Sequence, residues 1–460
     1  MRAIRLLLGS TLAAAAILAL APGAATADEQ GVFRAPAARP TDDPDPNRNS
    51  YTAKEAPQSP SCTANFCVHW VAKGPDRPKR ADANGTSDGD GIPDYVEQVQ
   101  EVAEYVYTVE NVQLGWRDPK SDGKKGGDVG KVDVYLKQLS GELFGYAAPD
   151  PGQADRKHLL PRKLYGYMVI DNDYNSFEFP GTKPSEDLEV TFAHEYAHIL
   201  QFSYDAYQGA WLAESTATWM EDQVYDEIND YRRYLPRWTK LFNTPLTANS
   251  VKSYGSAVWN EWLALRYGQS FTRKVWAGAI HVKPGGFSIA SYGRAIKAVD
   301  GEDFSRDFAR FARDVSEWRT ADVFPEGSAY PDVARQGSLP VGGKPEERFL
   351  NHTTFQLLRI DAPRGRAVVV RAKVPMGVAY GLALVGRVGG EKNGEVVSEL
   401  GLRQNGGRMS IQLEDPGRFD RITAVLVNAD GSALGFSPRS LDWNYLTDTA
   451  PFRVRALLAP

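Results

Sequence analysis

Hydrophobic and polar positions along this 460-residue chain change rhythm from one region to the next. Strand-like runs come first: FCVHWVA at Phe66–Ala72, KVDVYL at Lys131–Leu136 and YGYMVID at Tyr165–Asp171. Between the first two, Tyr95–Leu114 sets Val96, Val99, Val102, Ala103 and Val106 on one side, which is helical spacing. Glu186–Tyr204 reads as one long helix, with Ser185 as its N-cap and Glu186 and Asp187 in the first turn, where the helix dipole favours acids. Helical spacing continues through Trp211–Tyr225, Ser256–Tyr267, Phe271–Ala279 and Asp303–Trp318. Past a Pro/Gly-rich stretch come TFQLLRI, AVVVRAKV, YGLALVGRV, MSIQLE, ITAVLVN and FRVRALLA, short β-favouring runs split by turn signals. Such runs predict an antiparallel sandwich. The expected fold is α+β: a domain over 61–330 with a small mixed sheet and a mostly helical lobe, a linker over 331–346, and an all-β sandwich over 347–460.

The N-terminus has a different character. Arg2 and Arg5 precede an apolar run, Leu6–Leu20, and then the small-residue pattern Ala25-Thr26-Ala27, so 1–27 reads as a secretory signal peptide. Its removal takes Arg2 and Arg5 away and moves the formal charge from −5 to −7. An acidic balance of that kind argues against nucleic-acid binding. No other segment is long and apolar enough to span a bilayer, so a secreted, extracellular and monomeric protein that makes no membrane contact is expected. Residues 28–60, rich in Pro, Asp and Ala and without periodicity, read as a disordered leader or propeptide remnant. The two cysteines, Cys62 and Cys67, sit five residues apart, which in a secreted chain predicts a small disulfide loop.

The chemistry is concentrated in TFAHEYAHIL at Thr191–Leu200. On a helix, His194 and His198 share a face one turn apart, where both imidazoles reach one metal ion. Two imidazoles plus a carboxylate suit Zn²⁺ with an open fourth position. The foremost third ligand is Glu214 in WLAES, on a second helix that folds back after a turn through Asp205–Gly209; Glu221, Asp222 and Asp205 are its rivals. Glu195, next to the first ligand, is placed to act as general base on a zinc-activated water.

HEYAH followed by WLAES resembles the gluzincin class of zinc metallopeptidases, although its gap between the two motifs is a few residues shorter. FCVHWVAKGPDRP, DGIPDYVE, GKVDVYL, TFAHEYAHILQF, WLAESTATWMEDQVYD and SYGSAVW, over roughly residues 66–270, resemble more closely a family of secreted bacterial metalloproteases assigned from sequence. The resemblance implies a zincin-like catalytic domain acting on a peptide or protein substrate, with Tyr254 or His281 as donor to the oxyanion. It also implies that Tyr165–Asp171 is the edge strand pairing with the substrate backbone. No G-x-M-E-N strand of the kind aminopeptidases use is present, which favours an endopeptidase. The competing expectation is a catalytically silent scaffold serving as a calcium-stabilised extracellular binding protein.

Calcium enters through Thr86–Glu97, TSDGDGIPDYVE, which has the spacing of a twelve-residue Ca²⁺ loop. Asp88, Asp90, Asp94 and Glu97 would contribute side chains and Ile92 its carbonyl, with Thr86 in place of the usual first aspartate.

Overall fold

The structure is a computed structural model that describes residues 38–42, 50–79, 89–141, 143–153, 159–248, 250–283, 286–320, 323–361, 365–390, 394–432 and 449–460. The signal segment, residues 28–37 and 43–49 of the leader, and Thr86 and Asp88 of the calcium loop lie outside them.

A five-stranded sheet comes first, built from β1 (Ser61–Cys62), β2 (Phe66–His69), β3 (Val132–Lys137), β4 (Gly145–Pro149) and β5 (Gly166–Asp171) in the order β1-β2-β3-β5-β4. β2, β3 and β5 are parallel, and β1 and β4 run antiparallel at the two edges. Cys62 and Cys67 lie directly opposite in the β1–β2 pair and form the expected disulfide. α1 (Asp94–Tyr107) and α2 (Pro184–Asp205) cover one face, where Phe66, Val134 and Ile170 meet Val99, Phe192 and Tyr196. α2 begins at Pro184, whose fixed φ suits the first helical position, with Lys183 as N-cap, so Ser185 is inside the helix instead of capping it.

All six residues of β5 are buried, so the opposite face is covered too. Much of the cover comes from the segment read as a disordered leader. Arg39, 1% exposed, donates two hydrogen bonds of 2.7 Å to Asp150 and pairs with Asp122 and Asp133. The Tyr51 hydroxyl donates to the Leu136 carbonyl at 2.7 Å, and its ring packs on Tyr135. The described residues of 28–60 are therefore part of the fold: a polar segment is held by buried ion pairs, which hydrophobic periodicity does not reveal.

The helical lobe adds α3 (Ala210–Val224), α4 (Leu235–Trp238), α5 (Lys252–Gly255), α6 (Ala257–Tyr267), α7 (Ser270–Gly278), α8 (Ile289–Asp300) and α9 (Phe304–Val315). α8 was not expected, although Ile289, Tyr292 and Ile296 keep helical spacing around Gly293.

The C-terminal strands are β6 (Glu346–Leu350), β7 (Thr354–Arg359), β8 (Val368–Val374), β9 (Tyr380–Val388), β10 (Glu395–Arg403), β11 (Gly407–Leu413), β12 (Arg421–Asn428) and β13 (Ala450–Leu458). They form two four-stranded antiparallel sheets, β10-β9-β12-β7 and β11-β8-β13-β6, which share a core of residues such as Leu382, Leu426, Val370 and Phe452. β6 and β10 escaped the sequence reading because their charged, half-exposed alternation is weakly hydrophobic.

The stretch expected to be a linker is not a free tether. Gln336–Leu339 hydrogen-bonds along the β7 edge, and Arg335 joins Arg421 on the buried Glu317 carboxylate. The other face of the β9–β12–β7 sheet meets the helical lobe, where Trp238, Phe242 and Phe308 surround Phe355.

Candidate metal centre

α2 carries a polar stripe, His194, His198, Gln201 and Asp205, on a helix buried from Val190 to its end. Positions spaced by four, three and four residues share one helical face, and this face looks toward α3. The chain reverses within four residues between the two helices, with Gly209 as the α3 N-cap. Gln208 fixes this turn by donating to the Gly286 carbonyl and accepting from the Ser288 amide. α3 then returns with Glu214 and Glu221 two turns apart on the face opposite the histidines.

Three ligand atoms converge. His194 Nε2 lies 3.1 Å from His198 Nε2 and 3.3 Å from Glu214 Oε2, and His198 Nε2 lies 3.6 Å from the same oxygen. Donors held tetrahedrally at zinc distances of about 2.0–2.1 Å are separated by about 3.3 Å, so this triangle has the right size for the ion. The donor set, two imidazoles and one carboxylate, also suits zinc.

The remaining valences of the ligands are occupied. His194 Nδ1 lies 2.6 Å from Glu221 Oε1, and His198 Nδ1 lies 2.8 Å from Gln201 Oε1. Gln201 donates onward to the Ala213 carbonyl and Thr216 Oγ1, both at 3.0 Å. Partners of this kind fix which ring nitrogen faces the metal. Glu221 therefore stands behind His194 and is not the third ligand.

Electrostatics separates the carboxylates. Burial alone would raise Glu214, but His198 and hydrogen bonds from both histidines hold it down at about 2. Burial raises Glu195, partly offset by His194, His198 and a hydrogen bond from the Ala147 amide. One Glu195 oxygen, Oε2, is buried without a hydrogen-bond partner. Burial also lifts Glu221, to about 7, against the hydrogen bond to His194.

Of the oxyanion candidates, Tyr254 reaches the centre and His281 does not. The Tyr254 ring stacks on His194 at 6.0 Å, and its hydroxyl bonds Glu214. His281 Nδ1 is 2.7 Å from Asp205, seven residues beyond His198 on α2, which removes both residues from the centre. Asp222 turns away from the histidines; burial, reinforced by Glu326 and Glu261, pushes its carboxyl to about 8.

The edge strand differs from expectation as well. β5 is paired on both sides, by β3 and β4, and β4 is the edge. Its Gly145 approaches Glu195 so closely that an added Cβ would sit 3.2 Å from the glutamate Cγ. Nothing in GYAAP marks a strand; pairing with β5 makes it one. A narrow cleft opens beside His194, Glu195 and Glu221, lined by Phe144, Val190, Thr191, Asp230, Arg233 and Tyr234. Gln201 and these cleft residues were missed by the sequence reading. Only Gln201 left a signal, three residues past His198 on the same face.

Of the expected calcium loop, Thr86 and Asp88 lie outside the described residues; Asp90 accepts from the Ile92 amide at 2.7 Å, and Asp94 and Glu97 belong to the first turn of α1.

No curated protein matches the sequence. Among solved structures, a family GH115 4-O-methyl-alpha-glucuronidase with specificity for decorated arabinogalactans aligns at 10% identity and a TM-score of 0.13. That alignment covers 74% of this chain and 53% of the glucuronidase, so the chain spans about half that enzyme's length, and a likeness this slight says nothing about chemistry. Residues 32–324 match a family of unknown function (DUF6055), a stretch that includes Arg39, the five-stranded sheet and the whole candidate metal centre. The chain belongs to that family.

Proposed function

We propose that this chain is a secreted zinc-dependent peptidase in which a zincin-like α+β domain carries the reaction and an antiparallel β-sandwich accompanies it. One observation carries the reading: His194 Nε2, His198 Nε2 and Glu214 Oε2 lie within 3.6 Å of one another, with the Glu195 carboxylate beside them. His194, His198 and Glu214 would hold the ion. Bound there, zinc supplies Lewis acidity, lowering the pKa of a water toward neutrality and polarising a carbonyl.

The chain's own groups do the rest. Glu195, raised by burial and with one oxygen unpartnered, takes a proton from the attacking water and returns it to the leaving amine. Tyr254 stays protonated, since burial and Glu214 raise its hydroxyl well above the ordinary phenol range, and it serves as donor to the developing oxyanion. Substrate backbone adds to the outer edge of β4, in place of the β5 edge first expected. Secretion agrees with the Cys62–Cys67 disulfide, and no helix among the described residues is long and apolar enough to cross a membrane.

Elemental analysis of purified protein, paired with hydrolysis of casein and quenched peptides, tests this reading. One zinc per chain is expected in both wild type and Glu195→Gln, with hydrolysis by wild type alone and a loss on the order of 10²–10⁴ in the variant. Zinc without hydrolysis in wild type would favour the silent binding scaffold, and no zinc would end both readings of the centre.

A further inference from the structure

The outer face of the β11-β8-β13-β6 sheet is strongly basic on a chain whose net charge is −5. The alternation of exposure identifies the outward positions. Strand register turns them into rows: Arg408, Lys373, Arg453 and Glu347 lie side by side across all four strands, and Ser410, Arg371 and Arg455 form the next row. Five cations and one anion thus occupy two adjacent rows. Arg408, Lys373, Arg453 and Arg371 are exposed, and Arg455 is half-buried and donates to the Gly343 carbonyl at 2.9 Å. Three pairs of like charges stand directly opposite one another, an arrangement that weakens a sheet. Folding supplies no reason for it.

The next row, at one end of the same face, is apolar. Phe349, paired with Pro451, is 56% exposed, and Met376, just past Val374 in the β8–β9 turn, is 70% exposed. Rows two residues apart along a strand are separated by about 7 Å. The face is therefore graded: an exposed apolar end, then two basic rows within roughly 15 Å of it.

We propose that this end of the sheet docks on an anionic lipid surface, with Phe349 and Met376 entering the interface and Arg408, Lys373, Arg453, Arg371 and Arg455 contacting phosphate headgroups. An interfacial element buries its apolar side about 5–10 Å into the headgroup region, which sets the first basic row at headgroup depth. A linear acidic polymer would account for the cations but not for the apolar end. This contact is peripheral and separate from the peptidase reading, and it replaces the expectation of no membrane contact.

Co-sedimentation of the full mature chain with phosphatidylcholine vesicles, with and without about 30% phosphatidylglycerol, tests it at about 0.1 M salt. Binding is expected only with the anionic vesicles. Arg371→Glu with Lys373→Glu brings the face from a net +4 to zero while making every new charged cross-strand pair opposite in sign, so the fold is retained. This double variant should lose at least tenfold in lipid partitioning, and Phe349→Ser with Met376→Ser severalfold. Equal binding to neutral vesicles, or partitioning unchanged in either double variant, would overturn the proposal. So would soluble polygalacturonate binding that matches lipid binding and ignores Phe349 and Met376.

Discussion

The seam between α2 and α3 and the outer face of the C-terminal sheet both gather charge, under opposite rules. In the seam, His194, His198, Glu214 and Glu221 are buried, and every ring nitrogen faces a named oxygen or the ligand triangle. On the sheet, like charges stand side by side in water. Burying a charge without a partner costs several kcal/mol, so a buried constellation survives only when it is complete. Exposed repulsion is screened and weak, so an open patch can keep its charge unpaired for a partner. Breaking a member of the first kind should therefore harm the protein, whereas relieving the second should help it.

The largest effect expected is at a second buried constellation, on the far side of the first sheet. Arg39→Met leaves Asp122, Asp133 and Asp150 buried around an apolar side chain, with His69 still on Asp133. The expected loss is about 3–5 kcal/mol in urea unfolding. It should shrink as pH falls. The abandoned aspartates take folded-state pKa values above their unfolded ones, so the variant loses stability as pH rises and recovers it in acid. An unchanged urea midpoint would show that residues 38–42 and 50–60 merely decorate the fold.

Within the seam, Glu221→Gln keeps an acceptor for His194 Nδ1 but removes the charge behind it. Zinc affinity should fall about 10–100-fold, read by competition with a chromogenic chelator, while the unfolding midpoint of the metal-free chain changes little. A large fall in metal-free stability with unchanged affinity would make Glu221 a core residue and not a partner of the ligand.

The same contrast explains what the sequence made legible. His194, Glu195 and His198 were readable because their geometry is fixed by one helix, and Glu214 because a short reversal brings the next helix alongside. Arg39 was not, since its three aspartates lie 83, 94 and 111 residues away and no local pattern links them. β4 was not, because Gly145 and Pro149 carry no strand propensity and its extended shape comes from β5. The basic face lay in view as RAK at Arg371–Lys373 and RVR at Arg453–Arg455, but only register shows that these residues are neighbours.

The smallest effect is the sharpest test of the comparison, because its sign is unusual. Most substitutions destabilise a protein, and surface ones change little. Lys373→Glu, however, falls between Arg408 and Arg453, and Arg453 already faces Glu347. The substituted row would alternate in sign across the sheet, with the new carboxylate flanked by the two arginines and Glu347 at the far end. Two pairs pass from a repulsion of a few tenths of a kcal/mol to an attraction of similar size after screening, so a gain of about 1 kcal/mol is expected. It should appear as a raised urea midpoint at unchanged slope, and it should fade at high salt, where the repulsion it relieves is already screened. A sheet that gains stability on losing a cation is one whose charge was not kept for folding. A fall in the midpoint would mean that Lys373 has a structural partner, and the two regions would then obey the same rule.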